Sequence, residues 1–426
     1  MVQIRQTRAD DGGAQWHRLR VQLSGAILFA LIFPWIIGRW FFPDFDLSTQ
    51  LVQTVAGSAV ALLIGTWLFR SLGTYPGVEA SSYIVPSFAI AYGITVFVFF
   101  IWRLEYSRLI LLLGFLASIA WYYAVHFMVQ RQRAQRFGVV QFGATAILSP
   151  IERIEWVPLE KASDSFGPLD AVVADLRVDL PNDWDARLAD FALSGTPVYH
   201  IKHVQESLTG RVELEHLSEN TLGSLLPTSA YQSAKHLIDW LAAAALMPLI
   251  LPLLGVVAIA IRLDSPGPAI FRQTRVGFRG VPFTVYKFRT MIMRYGEAST
   301  RESAMTRTGD DRITKLGAFL RKSRIDELPQ LVNVLMGEMS WIGPRPEAAV
   351  LSEWYENEIA FYRYRHIVRP GITGWAQVNQ GHVAAVDEVR DKLQYDFYYI
   401  KNFSPWIDLL IVARTIRTML TGFGSR

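Results

Sequence analysis

The sequence predicts a membrane protein in three parts: four N-terminal transmembrane helices, a small α/β domain, and a mostly α C-terminal domain with one further apolar helix. Three observations predict it. Hydrophobic residues make up 51% of the 426-residue chain and gather in long blocks that a soluble domain does not need. Four of those blocks lie within the first 130 residues. Between residues 138 and 220 the apolar runs shorten to five or six residues, and between 265 and 381 the chain is dense in Gly, Pro, Arg and acidic residues. At roughly 150 residues per domain the length suits two or three units, which we place at 1–137, 138–222 and 223–426.

Residues 21–42, 51–72, 83–102 and 109–129 are each long enough to cross a bilayer. The first is not a cleavable signal, because a second span follows at once and no small-residue cleavage site ends it. Arg5, Arg8, Arg18 and Arg20 precede the first span, Arg131, Arg133 and Arg136 follow the fourth, and the first loop carries Asp44 and Asp46. By the positive-inside rule both ends of this unit face the cytoplasm. Trp40 and Trp102, near span ends, suit interfacial anchors. The formal charge is only +4, and its cations cluster beside apolar blocks, which fits a membrane surface and not nucleic acid. The chain has no cysteine, which excludes disulfides, thiolate zinc sites and thiol nucleophiles. A transporter is disfavoured because the N-terminal spans hold few ionisable residues.

In residues 138–222 the runs GVVQFG, IEWVPL, AVVADL and PVYHI are β-rich and separated by polar or helical stretches. They predict a small cytoplasmic parallel-sheet domain, Rossmann-like in its alternation. Its first turn, Phe142-Gly143-Ala144-Thr145, lacks the G-x-G-x-x-G spacing, so close backbone approach to a pyrophosphate is not supported. A regulatory or scaffolding role fits better. Residues 222–231, with Gly, Ser, Pro and Thr, form a linker.

Residues 235–263 are apolar, with Pro248 and Pro252 near the middle and Lys235 and Arg262 at the ends. Such a helix either spans the bilayer or enters and leaves on one face. No adequate span follows it, so a crossing would put the motif-rich region outside, away from nucleotide pools. A re-entrant helix broken at the prolines is therefore expected.

Five clusters lie between Ser265 and Gly381: SPGPAIFRQTRVGFRG, VYKFRTM, RKSRIDELPQL, MSWIGPRPE and RPGITGWAQVNQG. Asp326 and Glu327 follow Arg321, Lys322 and Arg324. A carboxylate among cations stays ionised and can attack phosphorus, while its neighbour binds Mg²⁺. A solvated acidic pair at a helix start is the plainer alternative. Pro344 and Pro346 fix the backbone around Arg345, which lowers the entropic cost of presenting one guanidinium to a phosphate; a rigid turn with a solvated Arg is the alternative. Lys287 and Arg289 alternate in a strand-like stretch and would share one face toward a diphosphate. Arg324 joins them as a phosphate-binding candidate, and Gln377 in the fifth cluster is a further site candidate. Arg272, Arg275 and Arg279 suit phosphate recognition or lipid-headgroup anchoring equally. His203, His216, His366 and His382 make no zinc spacing. Aromatic or apolar faces at 354–364 and 406–419 fit either interfacial amphipathic helices or core packing.

Taken together, the proline-containing helix, DSPGPAIFRQTRVG, YKFRTM, RIDELPQLVNVLMGEMSWIGPRPE and RPGITGWAQVNQG resemble the bacterial sugar transferase family of monotopic phosphoglycosyl transferases. The four preceding spans and α/β insert resemble its long subgroup, the polyprenyl-phosphate hexose-1-phosphate transferases that initiate capsule, exopolysaccharide or O-antigen repeats. The resemblance implies a ping-pong reaction in a catalytic domain on the cytoplasmic face. Asp326 would attack the β-phosphorus of a UDP-sugar, releasing UMP, and undecaprenyl phosphate would then take the phosphosugar. It also implies Glu327 as the Mg²⁺ ligand, Arg345 as a phosphate-binding residue, Lys287 in the Lys-Phe-Arg motif, Asp396 as a further acidic site residue, and a homodimer. Family context favours glucose or galactose as the sugar, with an N-acetylated sugar also open. A Ser-Pro pair usual at the helix break is here Met247-Pro248. The competing expectation is a catalytically silent membrane scaffold, against which the intact Asp326, Glu327 and Arg345 speak.

Overall fold

A computed structural model describes residues 18–41, 49–72, 81–130, 135–143, 154–164, 167–212, 229–292, 312–380 and 386–421. The chain divides into two compact units, Met1–Gly210 and Arg211–Arg426.

The first unit begins with helices α1 (Leu19–Ile27) and α2 (Phe33–Phe41), joined by a π-helical turn over Leu28–Ile32. The wider turn has a local cause. Pro34 supplies no backbone donor, and the Phe33 amide reaches back five residues to the Leu28 carbonyl. Helices α3 (Thr49–Leu72), α4 (Ser81–Ile101) and α5 (Arg108–Gln130) follow. With the α1–α2 segment they provide four stretches long and apolar enough to cross a membrane, and a fifth lies at Tyr231–Asp264. Ala26, Ala30, Ala61, Phe88 and Tyr122 are fully or almost fully buried between the helices, while Trp67, Phe97 and Phe100 project outward, as lipid-facing residues do. Two interior hydroxyl pairs form, Thr66 with Tyr122 at 2.7 Å and Tyr92 with Ser118 at 3.1 Å. Trp40 and Trp102 are well exposed at helix ends.

Strands β1 (Gln135–Val140), β2 (Ile154–Leu159), β3 (Ala171–Ala174) and β4 (Val198–His200) form a parallel sheet in the order β2-β1-β3-β4. Helices α6 (Asn182–Leu193) and α7 (Ile201–Thr209) accompany it. All four residues of β3 are buried, and the period of two splits them between clusters. Val172 and Ala174 pack with Trp184 and Leu188, whereas Ala171 and Val173 pack with Phe137 and Ile201. Arg136, read from sequence as a flank of the fourth span, belongs to β1 and pairs with Glu155 at 3.3 Å. Gly143 has φ +74°, and a Cβ there would lie 2.7 Å from Asp175 Oδ2, so this glycine serves a tight turn. Ala144 and Thr145 lie outside the described residues.

The second unit starts before the predicted linker: Arg211 pairs with Asp391 at 3.6 Å, and the Val212 amide donates to the Gln394 carbonyl. Most of that linker lies outside the described residues. Helix α8 (Ser229–Asp264) is helical across Pro248 and Pro252, so any change of direction there is a bend within a helix and not an unwound break. Near its start Lys235 pairs with Asp408 at 2.9 Å and Asp239 at 3.3 Å; Asp239 also accepts from Ser340, and Tyr231 donates to Asp408 at 2.6 Å. Farther along, Ala243 packs with Phe283, Val285 and Leu331, and Val257 and Ile261 pack with Ala269, Phe288 and Leu320. The opposite face leaves Leu249, Val256 and Leu263 exposed.

The remaining body is mostly helical, with two small sheets. β5 (Ile270–Val276) and β6 (Pro282–Phe288) make an antiparallel hairpin. Then come α9 (Lys315–Lys322), a 3-10 helix (Ile325–Gln330), α10 (Leu331–Leu335), β7 (Ser340–Ile342), α11 (Ala349–Glu358), a second 3-10 helix (Tyr362–Ile367) and β8 (Gly371–Thr373). Helices α12 (Trp375–Asn379), α13 (Val386–Lys401) and α14 (Pro405–Thr421) complete it. α14 buries Ile407, Leu410 and Ile411 completely and exposes Ile416, so its inner face is core.

β7 and β8 pair in parallel, and the glycines of the GPRP and RPGITG clusters permit the approach. A Cβ on Gly343 would lie 2.3 Å from the Arg369 carbonyl, and one on Gly371 would lie 2.1 Å from the Gly343 nitrogen. Both neighbours are backbone and have no side-chain rotamer to yield. The Gly371→Ala variant should therefore lose about 2 to 3 kcal/mol of stability, read as a lowered melting temperature in detergent; an unchanged melt would show that the two backbones are not held this closely.

Candidate active site

Arg324 turns the chain between α9 and the 3-10 helix with φ 58° and ψ 15°, a left-handed conformation that L residues avoid. That turn places Asp326 and Glu327 in the first turn of the 3-10 helix, beside β6. Two contacts hold the turn. Ile325 packs with Val257, Ile261, Phe288 and Leu320. Asn333, completely buried on α10, donates to the Thr284 carbonyl at 2.6 Å and to Glu338 at 2.7 Å, and accepts from the Tyr286 amide at 3.2 Å. Asn333 thereby straps the helix after the acidic pair to the strand that carries Lys287. It was not singled out from sequence; its signal was a lone amide inside the apolar run LVNVLM.

Three cations surround Glu327. Arg345 donates to its Oε1 at 2.7 Å, the Arg324 guanidinium lies 3.6 Å away, and Lys287 Nζ lies 4.0 Å away. Burial would raise the Glu327 carboxyl, but these cations outweigh it and hold it down to about 2. Asp326 responds the other way: burial, with Glu327 beside it, raises its carboxyl above the ordinary value despite the same cations. Lys287 is pushed well below an ordinary lysine by burial and by its neighbours Arg345 and Arg275. Arg275 is lowered to about 10 by burial and Arg345. Cations thus outnumber carboxylates here, a balance that suits a polyanion such as a diphosphate.

Arg345 is fixed from behind. Its carbonyl accepts from Arg365 at 2.8 Å, and Arg365 also donates to Asp396 at 2.9 Å and to the Tyr362 hydroxyl at 2.6 Å. Arg275 donates to the Pro346 carbonyl, and the Val276 amide to the Glu347 carbonyl at 3.2 Å, so β5 grips the PRPE segment. Lys392 pairs with Glu347, whose carboxyl is kept low because Lys392 and Arg365 outweigh its burial.

The structure therefore brings Asp326, Glu327, Lys287, Arg324 and Arg345 together, with Asp396 one residue behind. It does not bring Arg289. That side chain leaves the face of Lys287, and its guanidinium donates to the carbonyls of Ser265 at 2.6 Å, Pro266 at 2.8 Å and Ile261 at 3.3 Å. Arg289 caps the C-terminal end of α8, where carbonyls have no helical donors. The expected shared face fails because β6 ends at Phe288, so strand alternation stops before Arg289. Gln377 donates to the Ile372 carbonyl at 3.0 Å and braces its own loop; its Oε1 is buried without a partner. His366 is buried and lowered to about 3, hence neutral, while His216 and His382 lie outside the described residues.

Among the described residues no group of three His, Cys, Asp or Glu is placed to hold a metal. Asp326 and Glu327 still fit Mg²⁺. Asp326 Oδ1 is buried with no hydrogen-bond partner, and Mg²⁺ commonly takes one or two carboxylates and completes its shell with waters and substrate phosphates.

A profile described as bacterial sugar transferase matches residues 230–422. The chain is 46% identical over 393 residues to a UDP-N-acetylgalactosamine-undecaprenyl-phosphate N-acetylgalactosaminephosphotransferase of Aeromonas hydrophila, covering 91% of this chain and 92% of that protein. It is 46% identical over 201 residues to a UDP-glucose:undecaprenyl-phosphate glucose-1-phosphate transferase of Caulobacter vibrioides, covering 47% of this chain and 74% of the relative. A protein of the same name from Escherichia coli K12 is 43% identical over 180 residues, 42% of this chain and 38% of the relative.

Proposed function

Since the chain belongs to the bacterial sugar transferase family, we propose that it moves a sugar 1-phosphate from a UDP-sugar to undecaprenyl phosphate through a covalent phosphosugar on Asp326. It is a phosphoglycosyl transferase by kinship with enzymes named as undecaprenyl-phosphate sugar phosphate transferases. The observation that carries the mechanism is Asp326 Oδ1, buried, unpartnered and flanked by Lys287, Arg324 and Arg345. A carboxylate oxygen of Asp326 bonds to the β-phosphorus, and the phosphorus–oxygen bond to UMP breaks with its electron pair leaving on UMP. A phosphate oxygen of the lipid then bonds to the same phosphorus and returns the Asp326 carboxylate. Lys287, Arg324 and Arg345 hold the diphosphate and offset its repulsion toward the nucleophile. Mg²⁺, when bound through Asp326 and Glu327, supplies Lewis-acid neutralisation of the phosphate oxygens.

The membrane arrangement belongs to the same proposal. Lys235 and Asp239 near one end of α8, and Ile261 near the other, touch the same body. A crossing helix would carry that body through the bilayer, so α8 enters and leaves on the cytoplasmic face. The arrangement lets a soluble donor and a lipid acceptor meet at the interface, and the product would be the first lipid-linked sugar of a surface polysaccharide. For the sugar, a relative matched over 91% of the chain favours N-acetylgalactosamine, while the two glucose enzymes match 47% and 42% of it. UMP release from a panel of UDP-sugars, with undecaprenyl phosphate and Mg²⁺ present or chelated, tests the proposal. Release with one donor, dependent on metal, is expected; no release with any donor would support the silent scaffold.

A further inference from the structure

The sheet domain ends at Gly210, which caps α7 in a left-handed conformation, φ 68°. The two residues that follow already belong to the catalytic unit, and both lie on α13. Val212 is 1% exposed, and its amide donates to the Gln394 carbonyl at 3.0 Å. Beside it the Arg211 guanidinium sits 4.7 Å over the Tyr395 ring and pairs with Asp391 at 3.6 Å. That ion pair is half-exposed and adds little by itself. The buried valine and the backbone hydrogen bond are the firmer part of the hold.

Interleaved with the residues under this strap are the two through which α13 acts on the arginine loop. Lys392 pairs with Glu347, and Asp396 accepts from Arg365, which also donates to the Arg345 carbonyl at 2.8 Å. Positions 391 to 396 span about one and a half helical turns, so the stretch of helix that the strap grips is the stretch that holds Arg345. The far end of α13 has supports of its own: Tyr398 stacks on Trp375 with ring centres 5.6 Å apart, and Tyr399 donates to Asp408 at 2.9 Å. The strap supplies a hold nearer the other end, where Glu388 and Arg390 are exposed. We infer that Arg211 and Val212 are positioning residues for the donor site: by clamping α13 they keep Asp396 and Lys392 where these aim Arg345 at the diphosphate. The chain arriving from the sheet domain is thereby a control point, because releasing its strap loosens the grip on the diphosphate with every residue of the site intact.

The inference rests on the proposed reaction for its ligand, a nucleoside diphosphate, but its test reads binding without turnover. UDP is titrated onto the full-length protein in detergent by calorimetry. The Arg211→Ala/Val212→Ala variant should bind UDP at least fivefold more weakly, and kcat/KM for the UDP-sugar should fall by a similar factor. A control separates positioning from general weakening of the fold. Because the chain has no cysteine, an Arg211→Cys/Val212→Ala/Asp391→Cys variant can be joined at those two positions by a cleavable bismaleimide. UDP affinity should be low before joining, return to within twofold of wild type once joined, and fall again when the linker is cleaved. A lowered melting temperature with UDP affinity unchanged overturns the inference, since the strap would then only stabilise the fold. So does a loss of affinity that joining does not restore. Absence of UMP release by wild type with UDP binding intact would instead count against the proposed reaction.

Discussion

The Asp326→Asn protein is expected to fold, to bind its UDP-sugar, and to release UMP at least about 10⁴-fold more slowly, the scale on which loss of a nucleophile usually acts. Folding should survive because Oδ1 of Asp326 makes no hydrogen bond in the protein and the substitution keeps the side chain's shape. The informative readout is the covalent adduct: radiolabelled phosphosugar should remain on wild-type protein when acceptor is withheld, and none should remain on the variant. Equal labelling of both would place the nucleophile elsewhere. The pH dependence follows from the same environment. Asp326 must be ionised to attack, and burial with Glu327 beside it raises its carboxyl above 3.8. The acid limb of UMP release should therefore fall about tenfold per pH unit below that raised value.

Replacing Arg345 by Ala has a second large expected effect, on stability and turnover together. Arg345 makes the shortest contact to Glu327, 2.7 Å, and it is the leading cation holding that buried carboxyl down to about 2. Removing one partner of a buried ion pair costs about 3 to 5 kcal/mol. The lower end applies here, since Arg324 and Lys287 remain within 4.0 Å. The sign with pH is set by Glu327. A carboxyl held below its unfolded value of 4.5 stabilises the fold above that pH and loses the contribution as pH falls toward 2. The variant should thus lose stability at neutral pH and resemble wild type more closely in acid. Loss of a phosphate-binding guanidinium should lower UMP release by a further 10²- to 10³-fold. Arg345→Lys should recover part of the stability and less of the rate, because an ammonium does not reproduce the planar fork. Matching melts for wild type and the Ala variant at neutral pH would show that the pair contributes no net stability.

Much of this architecture was legible in one dimension, for a simple reason. A membrane span is a local property of composition, since some 20 consecutive apolar residues suffice, and the four N-terminal helices lie close to where hydropathy places them. The parallel sheet was legible too, because strands buried on both faces leave short continuous runs such as AVVA. Asp326, Glu327 and Arg345 were candidates because of the clusters around them, each with a plainer alternative, and it was the family resemblance that assigned them roles.

What the sequence by itself determined, then, was which residue types are available for phosphorus chemistry and which segments are long and apolar enough to cross a membrane. Only the tertiary structure decided which cations face the acidic pair. Lys287 and Arg289 sit two residues apart and read alike, yet one approaches Glu327 and the other caps the C-terminal end of α8. That division depends on where β6 ends and where the carbonyls of Ile261, Ser265 and Pro266 lie, 23 to 28 residues earlier in the chain. The same holds for Asn333, whose partners Thr284 and Tyr286 come from another element. Electrostatics and hydrogen bonding act through space over a few ångströms, so the role of a charged or amide side chain is settled by the neighbours that folding supplies.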